Sequence, residues 1–265
     1  MSITTHENPR VIMELLSNIR YCYNGNAFLV VHVSADYKEA FYRHAAAKGI
    51  RLFADQIFWN DIEISTKWGN TLPSQIWNYL YLKNTLGIEF SHFQIISPSN
   101  LIIRKDMDVY IRNFDIVMRK AVPSDKWMWG SQARGDPKYQ QFREENGLGG
   151  CLCARVDGLA VKDEIFGAFA RKLLLRYSIS DMQAIDPTYP QEETILPTYL
   201  TKLQDFAYRI GLGLAKTFEP NEPALDEAML ERMMEEQKIA YIKPIPPQED
   251  NPLRSLILKK RSFGR

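Results

Sequence analysis

Apolar residues recur at helical spacing over 9–23, where Val11, Ile12, Leu15, Leu16 and Ile19 share one face. A continuous apolar run from Phe28 to Val33 follows, bounded by Asn-Gly-Asn and Ser-Ala-Asp, and predicts a strand buried on both faces. A second amphipathic helix is predicted over 37–48, ending near Gly49, with a short strand at Arg51–Phe53. A third helix over 72–86 sets Leu72, Ile76 and Leu80 on one face and carries Pro73 in its first turn, where a missing donor costs nothing. Phe93–Ser97 predicts another buried strand. Strands separated by helical patterns predict parallel βαβ units. They build an α/β chain with a Rossmann-like, mostly parallel central sheet flanked by helices, which binds ligands beyond the carboxyl ends of its strands.

The pattern is weaker in the middle. Trp127–Trp129 and Cys151–Val156 are expected as strands, and the polar, Gly-rich span 130–150 as a long functional loop. Helices are expected over 163–176, 193–210 and 224–238, with Pro197 disturbing the second. Met229, Met233 and Met234 in the last read as ordinary packing. Pro-rich stretches at 219–223 and 244–252 are extended, and the second leads into the basic run Lys259-Lys260-Arg261.

Composition narrows the function classes. Lys and Arg number 33 against 32 Asp and Glu, a net charge of +1, which argues against a nucleic-acid partner held by bulk charge. No apolar run reaches the ~18 residues of a membrane span, and residues 1–10 lack the apolar stretch of a secretory signal. The expectation is a cytoplasmic chain with peripheral contact on the inner face of the membrane. Cys22, Cys151 and Cys153 are too few for a disulfide framework, and the Cys-Leu-Cys pair lacks the further ligands of a zinc site.

The common phosphate-loop, dinucleotide, nucleophile-elbow and zincin motifs are absent. Three segments in order carry a resemblance instead. Thr5-His6-Glu7-Asn8-Pro9 precedes Val30-Val31-His32-Val33; Ile64-Ser65-Thr66-Lys67-Trp68-Gly69 precedes a helix to Leu86 and Phe93-Gln94-Ile95-Ile96-Ser97; and Pro190-Gln191-Glu192-Glu193-Thr194-Ile195-Leu196-Pro197-Thr198 lies downstream. Over residues 3 to about 205 this order resembles the core-2/I-branching N-acetylglucosaminyltransferase and peptide O-xylosyltransferase family, and in particular a bacterial-type member.

The resemblance implies a GT-A-like domain over 1–240 and a Pro-rich, basic segment over 241–265 folding over the donor site. It implies an inverting, metal-independent glycosyltransferase moving a hexosyl or N-acetylhexosaminyl group. The donor is a nucleotide-sugar, expected to be a UDP-sugar, and the acceptor a glycan or lipid-linked glycan in surface polysaccharide synthesis such as capsule or lipopolysaccharide. No cofactor is expected. The family's catalytic base falls on Glu193, with Glu192 the adjacent alternative. An inverting transfer needs one carboxylate to take the acceptor proton, while a Glu at a helix start also serves the helix dipole.

The donor site is expected to draw on His6, His32, Ser34, Trp68, Ser97, Ser99 and Asn100, with Lys243, Arg254, Lys260 and Arg261 neutralising the diphosphate. Ser34 stands where the family has Asp, and Ser97-Pro98-Ser99-Asn100 replaces its Ser-Gly-Gln-Asp. From the residues alone several readings stay open. The histidines are core groups or ligands, Ser97–Asn100 forms a turn or a ligand contact, and Trp68 packs the core or stacks on a sugar. Trp127 and Trp129, next to the polar span, suit carbohydrate stacking as well as burial. Asp106-Met107-Asp108 supplies the alternative of a metal-dependent GT-A transferase, although its surroundings read as a helix start. A nucleotide- or glycan-binding module without turnover is the alternative of another class.

Overall fold

The polar segment Ser2–Thr5 forms β1, an interior strand of the main sheet. In the computed structural model, residues 1–184, 188–203, 208–218, 222–236, 238–245 and 251–262 are described. The first half runs β1, α1 (Pro9–Cys22), β2 (Leu29–Val33), α2 (Ala35–Ala47), β3 (Ile57–Asn60), α3 (Leu72–Leu80) and β4 (His92–Ile96). Then come β5 (Leu101–Ile102), α4 (Met107–Arg112), β6 (Ile116–Met118), β7 (Val122–Pro123), α5 (Gly130–Gly135), α6 (Pro137–Glu145), β8 (Leu152–Cys153) and β9 (Ala160–Lys162). The remainder is α7 (Asp163–Leu174), α8 (Ile179–Ala184), α9 (Ile195–Lys202), β10 (Ile210–Leu212), β11 (Ala215–Thr217), α10 (Glu227–Glu236), β12 (Tyr241–Lys243) and α11 (Pro252–Ser262).

Seven strands form the main sheet in the order β10-β6-β9-β4-β1-β2-β3. β1 pairs in parallel with β2 and with β4, β2 with β3, and β6 with β10; β9 runs against both of its neighbours. This is the mostly parallel α/β sheet that the alternating pattern predicts. β11, β12 and β5 make a second sheet, and β7 pairs with β8.

β2 is buried at every position, so Leu29-Val30-Val31-His32-Val33 contributes apolar side chains to both faces. Each fully buried Val or Leu stabilises by roughly 1.5–3 kcal/mol. α1 starts where the Asn8 side chain accepts from Arg10 N at 2.9 Å and Pro9 enters the first turn. Its buried Asn18 is doubly bonded to Ile102, donating to the carbonyl at 2.8 Å and accepting from the amide at 2.7 Å, which ties the helix to β5.

β1 is polar because α3 meets it with polar groups. Thr4 Oγ1 lies 2.7 Å from Ser74 Oγ, and Gln75 Nε2 donates to Thr4 Oγ1 at 3.1 Å. Asn78 Nδ2 donates to Ser2 Oγ at 2.8 Å and accepts at Oδ1 from Asn60 Nδ2 at 2.9 Å.

Several expectations change. The strand expected at Arg51–Phe53 lies instead at β3, and Phe53 is exposed. The third helix passes into a π-turn over Tyr81–Thr85. Trp127–Trp129 is a turn; the Cys151–Val156 strand shrinks to β8; and the span 130–150 holds α5 and α6, capped by Asp136, whose carboxylate accepts from Lys138 N at 2.9 Å. The single helix expected over 193–210 divides into a 3-10 turn at Gln191–Glu193, α9 and β10. Beyond residue 240, β12 is the middle strand of the second sheet, and Leu253 and Ile257 join the core shared with α1 and β2. Among the described residues no helix is long and apolar enough to cross a membrane.

Candidate functional site at the switch point of the sheet

After β1 the chain adds β2 and β3 on one side and then β4 on the other, so connections leave β1 and β4 in opposite directions. Such a reversal opens a crevice beyond the carboxyl ends of the two strands. A cleft of about 420 Å³ lies there, lined by Thr4 and His6 from the end of β1 and by Ile95–Pro98 from the end of β4. Its other walls are the turn Lys67–Gly69, Trp129, Arg155–Asp157, Pro190, Glu192–Glu193 and Lys243.

Glu192 and Glu193 sit on the 3-10 turn ahead of α9, not in the helix, whose N-cap is Thr194. That turn is pinned at both ends: Gln191 N donates to Gly69 O at 3.1 Å, and Glu193 O accepts from Ala154 N at 2.9 Å. Glu193 is 6% exposed. Arg155 NH1 stands 3.3 Å from its Oε1, while its Oε2 is buried with no hydrogen-bond partner among the described residues. Burial raises the Glu193 pKa to about 7; Arg155 and Lys243 oppose the rise, and the charges of Glu192 and Asp157 add to it. Burial also raises Glu192, whose Oε2 likewise lacks a partner. Lys243 Nζ lies 3.1 Å and 3.4 Å from the two oxygens of the buried Asp157. The cleft therefore holds two carboxylate–cation pairs, and the carboxylate of one of them, Glu193, is able to accept a proton near neutral pH.

Of the expected donor residues, His6, Trp68, Ser97 and Lys243 line this cleft together with Glu192 and Glu193. Others support its walls. His32 is fully buried with Nε2 2.8 Å from Ile64 O, and burial lowers its pKa. Ser34 Oγ accepts from Thr66 N at 2.9 Å. Both side chains hold the segment that leads to Trp68. Asn100 Oδ1 accepts from Ser97 N at 3.1 Å, and Ser99 Oγ lies 3.0 Å from Ser97 Oγ, so Ser97–Asn100 is a turn with Ser97 and Pro98 facing the cleft.

Arg254 does not line the cleft; it is buried 3.6 Å from Glu14. Lys260 and Arg261 lie outside the residues whose side chains are described. Asp106 and Asp108 are at the amino edge of the sheet, where Asn24 donates to Asp106 at 2.9 Å, and Asn26 and Arg112 donate to Asp108 at 2.9 Å each. That edge carries a separate hollow of about 230 Å³ lined by Asp108, Phe28 and His92. The aspartates are thus remote from the cleft, and the described residues contain no group of three or more His, Cys, Asp or Glu set to hold a metal.

Sequence reasoning does not reach Arg155 and Asp157. Their one signal is position: they follow the short apolar run Cys151–Ala154, where a chain leaving a strand turns charged.

No family model matches the chain. No curated protein matches it. Among solved structures it is similar to a nucleoside-diphosphate-sugar pyrophosphorylase from Vibrio cholerae, at 9% identity over 80% of this chain and 91% of that one, with a TM-score of 0.43. It is similar to the galactosyltransferase LgtC in complex with donor and acceptor sugar analogues, at 11% identity over 99% and 96%, with a TM-score of 0.41. It is also similar to the bifunctional glycosyltransferase WbbM, at 11% identity over 98% of this chain and 51% of that one, with a TM-score of 0.40. Likeness at this level carries no argument about chemistry.

Proposed function

We propose that this chain is a GT-A-like, inverting glycosyltransferase that moves a sugar from a nucleotide-sugar, a UDP-sugar in the first instance, to a hydroxyl of a glycan or lipid-linked acceptor. The observation that carries the reading is Glu193: a buried carboxylate, with one oxygen unpartnered, in a cleft at the switch point of the sheet. The resemblance of Pro190–Thr198 to a family's base-bearing segment supports the same residue.

In this reading the acceptor hydroxyl attacks the anomeric carbon of the donor in line. Glu193 Oε2 takes its proton, the new C–O bond forms as the bond to phosphate breaks, and the nucleoside diphosphate leaves with the electron pair. One base acting in a single displacement gives inversion. Lys243 and Arg155, both at the cleft, offset the charge gathering on the diphosphate, so the reading needs no metal. Synthesis of a surface polysaccharide at the inner face of the membrane is the setting proposed for this activity.

Thermal unfolding with UDP, GDP, CMP and dTDP, each with EDTA or with Mn²⁺, tests it. A nucleotide at ~100 times its dissociation constant adds about 2.7 kcal/mol of stability. Stabilisation by UDP in EDTA is the expected result. Stabilisation by Mn²⁺ complexes alone overturns metal independence, and no stabilisation by any nucleotide overturns the transferase.

A further inference from the structure

Trp68 is 58% exposed, which is costly for the largest apolar side chain on a folded surface. It is held in place rather than loose. Asn70 N donates to Lys67 O at 3.1 Å, closing a turn in which Gly69 takes a φ of +77° that other residues resist. The same Gly69 carbonyl receives Gln191 N, so the turn presenting Trp68 and the turn presenting Glu193 share a hydrogen bond.

Trp129 meets Trp68 with ring centroids 4.8 Å apart and planes at 64°, and both indoles line the cleft. Trp129 is fixed by Gly130, where a Cβ would stand 1.7 Å from Ser124 O, so the two segments touch backbone to backbone. Trp127 lies beneath the guanidinium of Arg155, whose carbon is 5.5 Å from the ring centre and whose NH1 reaches Glu193. Trp127 is therefore linked to the base through one side chain.

A ligand suited to these walls has an apolar face for an indole and a hydroxyl for a buried carboxylate oxygen. A pyranose has both: a face of C–H bonds and a rim of hydroxyls. Two indoles at 64° form a corner rather than a parallel slot, which suits a chair-shaped ring better than a flat heterocycle. We infer that Trp68 and Trp129 form a platform for a pyranose ring at the mouth of the cleft, beside Glu193. That this ring belongs to the acceptor rests on the transferase reading above; the sugar platform itself does not.

Saturation-transfer NMR with methyl β-D-galactopyranoside, methyl β-D-glucopyranoside and methyl α-D-mannopyranoside tests the platform on the full chain. Saturation of aromatic protons is expected to reach the C–H protons of one face of at least one glycoside. Trp68→Ala is expected to weaken that binding about tenfold, the upper end of an aromatic contact. Trp68→Phe should restore most of it. Sugar contact without any nucleotide binding supports the platform while removing the transferase. Nucleotide binding with all three glycosides silent overturns the platform and leaves the transferase standing. A tryptophan emission shift on phosphatidylglycerol vesicles that Trp68→Phe abolishes, with the glycosides silent, also overturns it, in favour of membrane insertion.

Discussion

At the scale of one residue, Glu193 sits where burial penalises its charge more than Arg155 at 3.3 Å restores it. Two consequences follow from a pKa near 7. As a base it works only when deprotonated, so kcat/KM should rise with pH and level off above about 7. Glu193→Gln should lower kcat by at least roughly 10²-fold while leaving nucleotide binding intact; unchanged turnover would make Glu193 structural. Stability should run the other way. The folded protein holds the Glu193 proton more tightly than the unfolded chain, so its contribution is present at low pH and is lost as pH rises from about 4.5 to about 7. The ordinary value near 4.5 and the raised one near 7 differ by roughly 3 kcal/mol in all. Melting temperatures of wild type and Glu193→Gln should therefore converge near pH 4 and separate above pH 7, with the Gln variant the more stable. A constant gap would show that the carboxyl titrates normally.

At the scale of elements, the strands that read clearly in the sequence are those buried on two apolar faces, such as β2, and the helices are those with a single apolar stripe, such as α1. β1 does not read at all. Ser2 and Thr4 look like a polar leader until α3 supplies Gln75, Ser74 and Asn78 as partners, and those partners are more than sixty residues away. Period and apolar content carry no trace of a hydrogen bond made at that range. β6, β9 and β10, of three residues each, are likewise too short to set a period of their own. The polar span 130–150 reads as a loop because its helices are short and charged, although Tyr139 and Phe142 anchor α6 in the core. The buried polar layer makes a prediction at this scale. Asn78→Leu removes the donor to Ser2 and the acceptor for Asn60, leaving both buried groups short of a bond. Unfolding in urea should show a loss of about 2–4 kcal/mol, one unmet desolvation for each group. A loss below ~1 kcal/mol would mean that the layer is not held by these bonds.

At the scale of the whole molecule, the cleft draws on segments from Thr4 to Lys243, brought together only by the order of the strands. His6, Trp68, Ser97, Glu192 and Glu193 are legible in the sequence because each lies in a segment with a recognisable neighbourhood, and Lys243 because it is a basic residue of the Pro-rich segment beyond 240. Arg254 is a basic residue of the same segment, yet it turns inward to Glu14, because charge alone does not say which way a side chain faces. Arg155 and Asp157 make sense only once β12 brings Lys243 against Asp157.

That pair joins the second sheet to the loop before β9, so Lys243 has a structural task and, in the proposed function, a chemical one. Two variants separate the tasks. Lys243→Met strands a carboxylate that is 3% exposed and should cost about 2 kcal/mol in urea unfolding. Adding Asp157→Asn removes the stranded charge and should recover most of that loss. Nucleotide affinity should not recover, because the cation facing the diphosphate is still missing, and UDP should bind the double variant about tenfold more weakly than wild type. Recovery of both stability and affinity would reduce Lys243 to a strut between sheets and leave Arg155 to meet the phosphate.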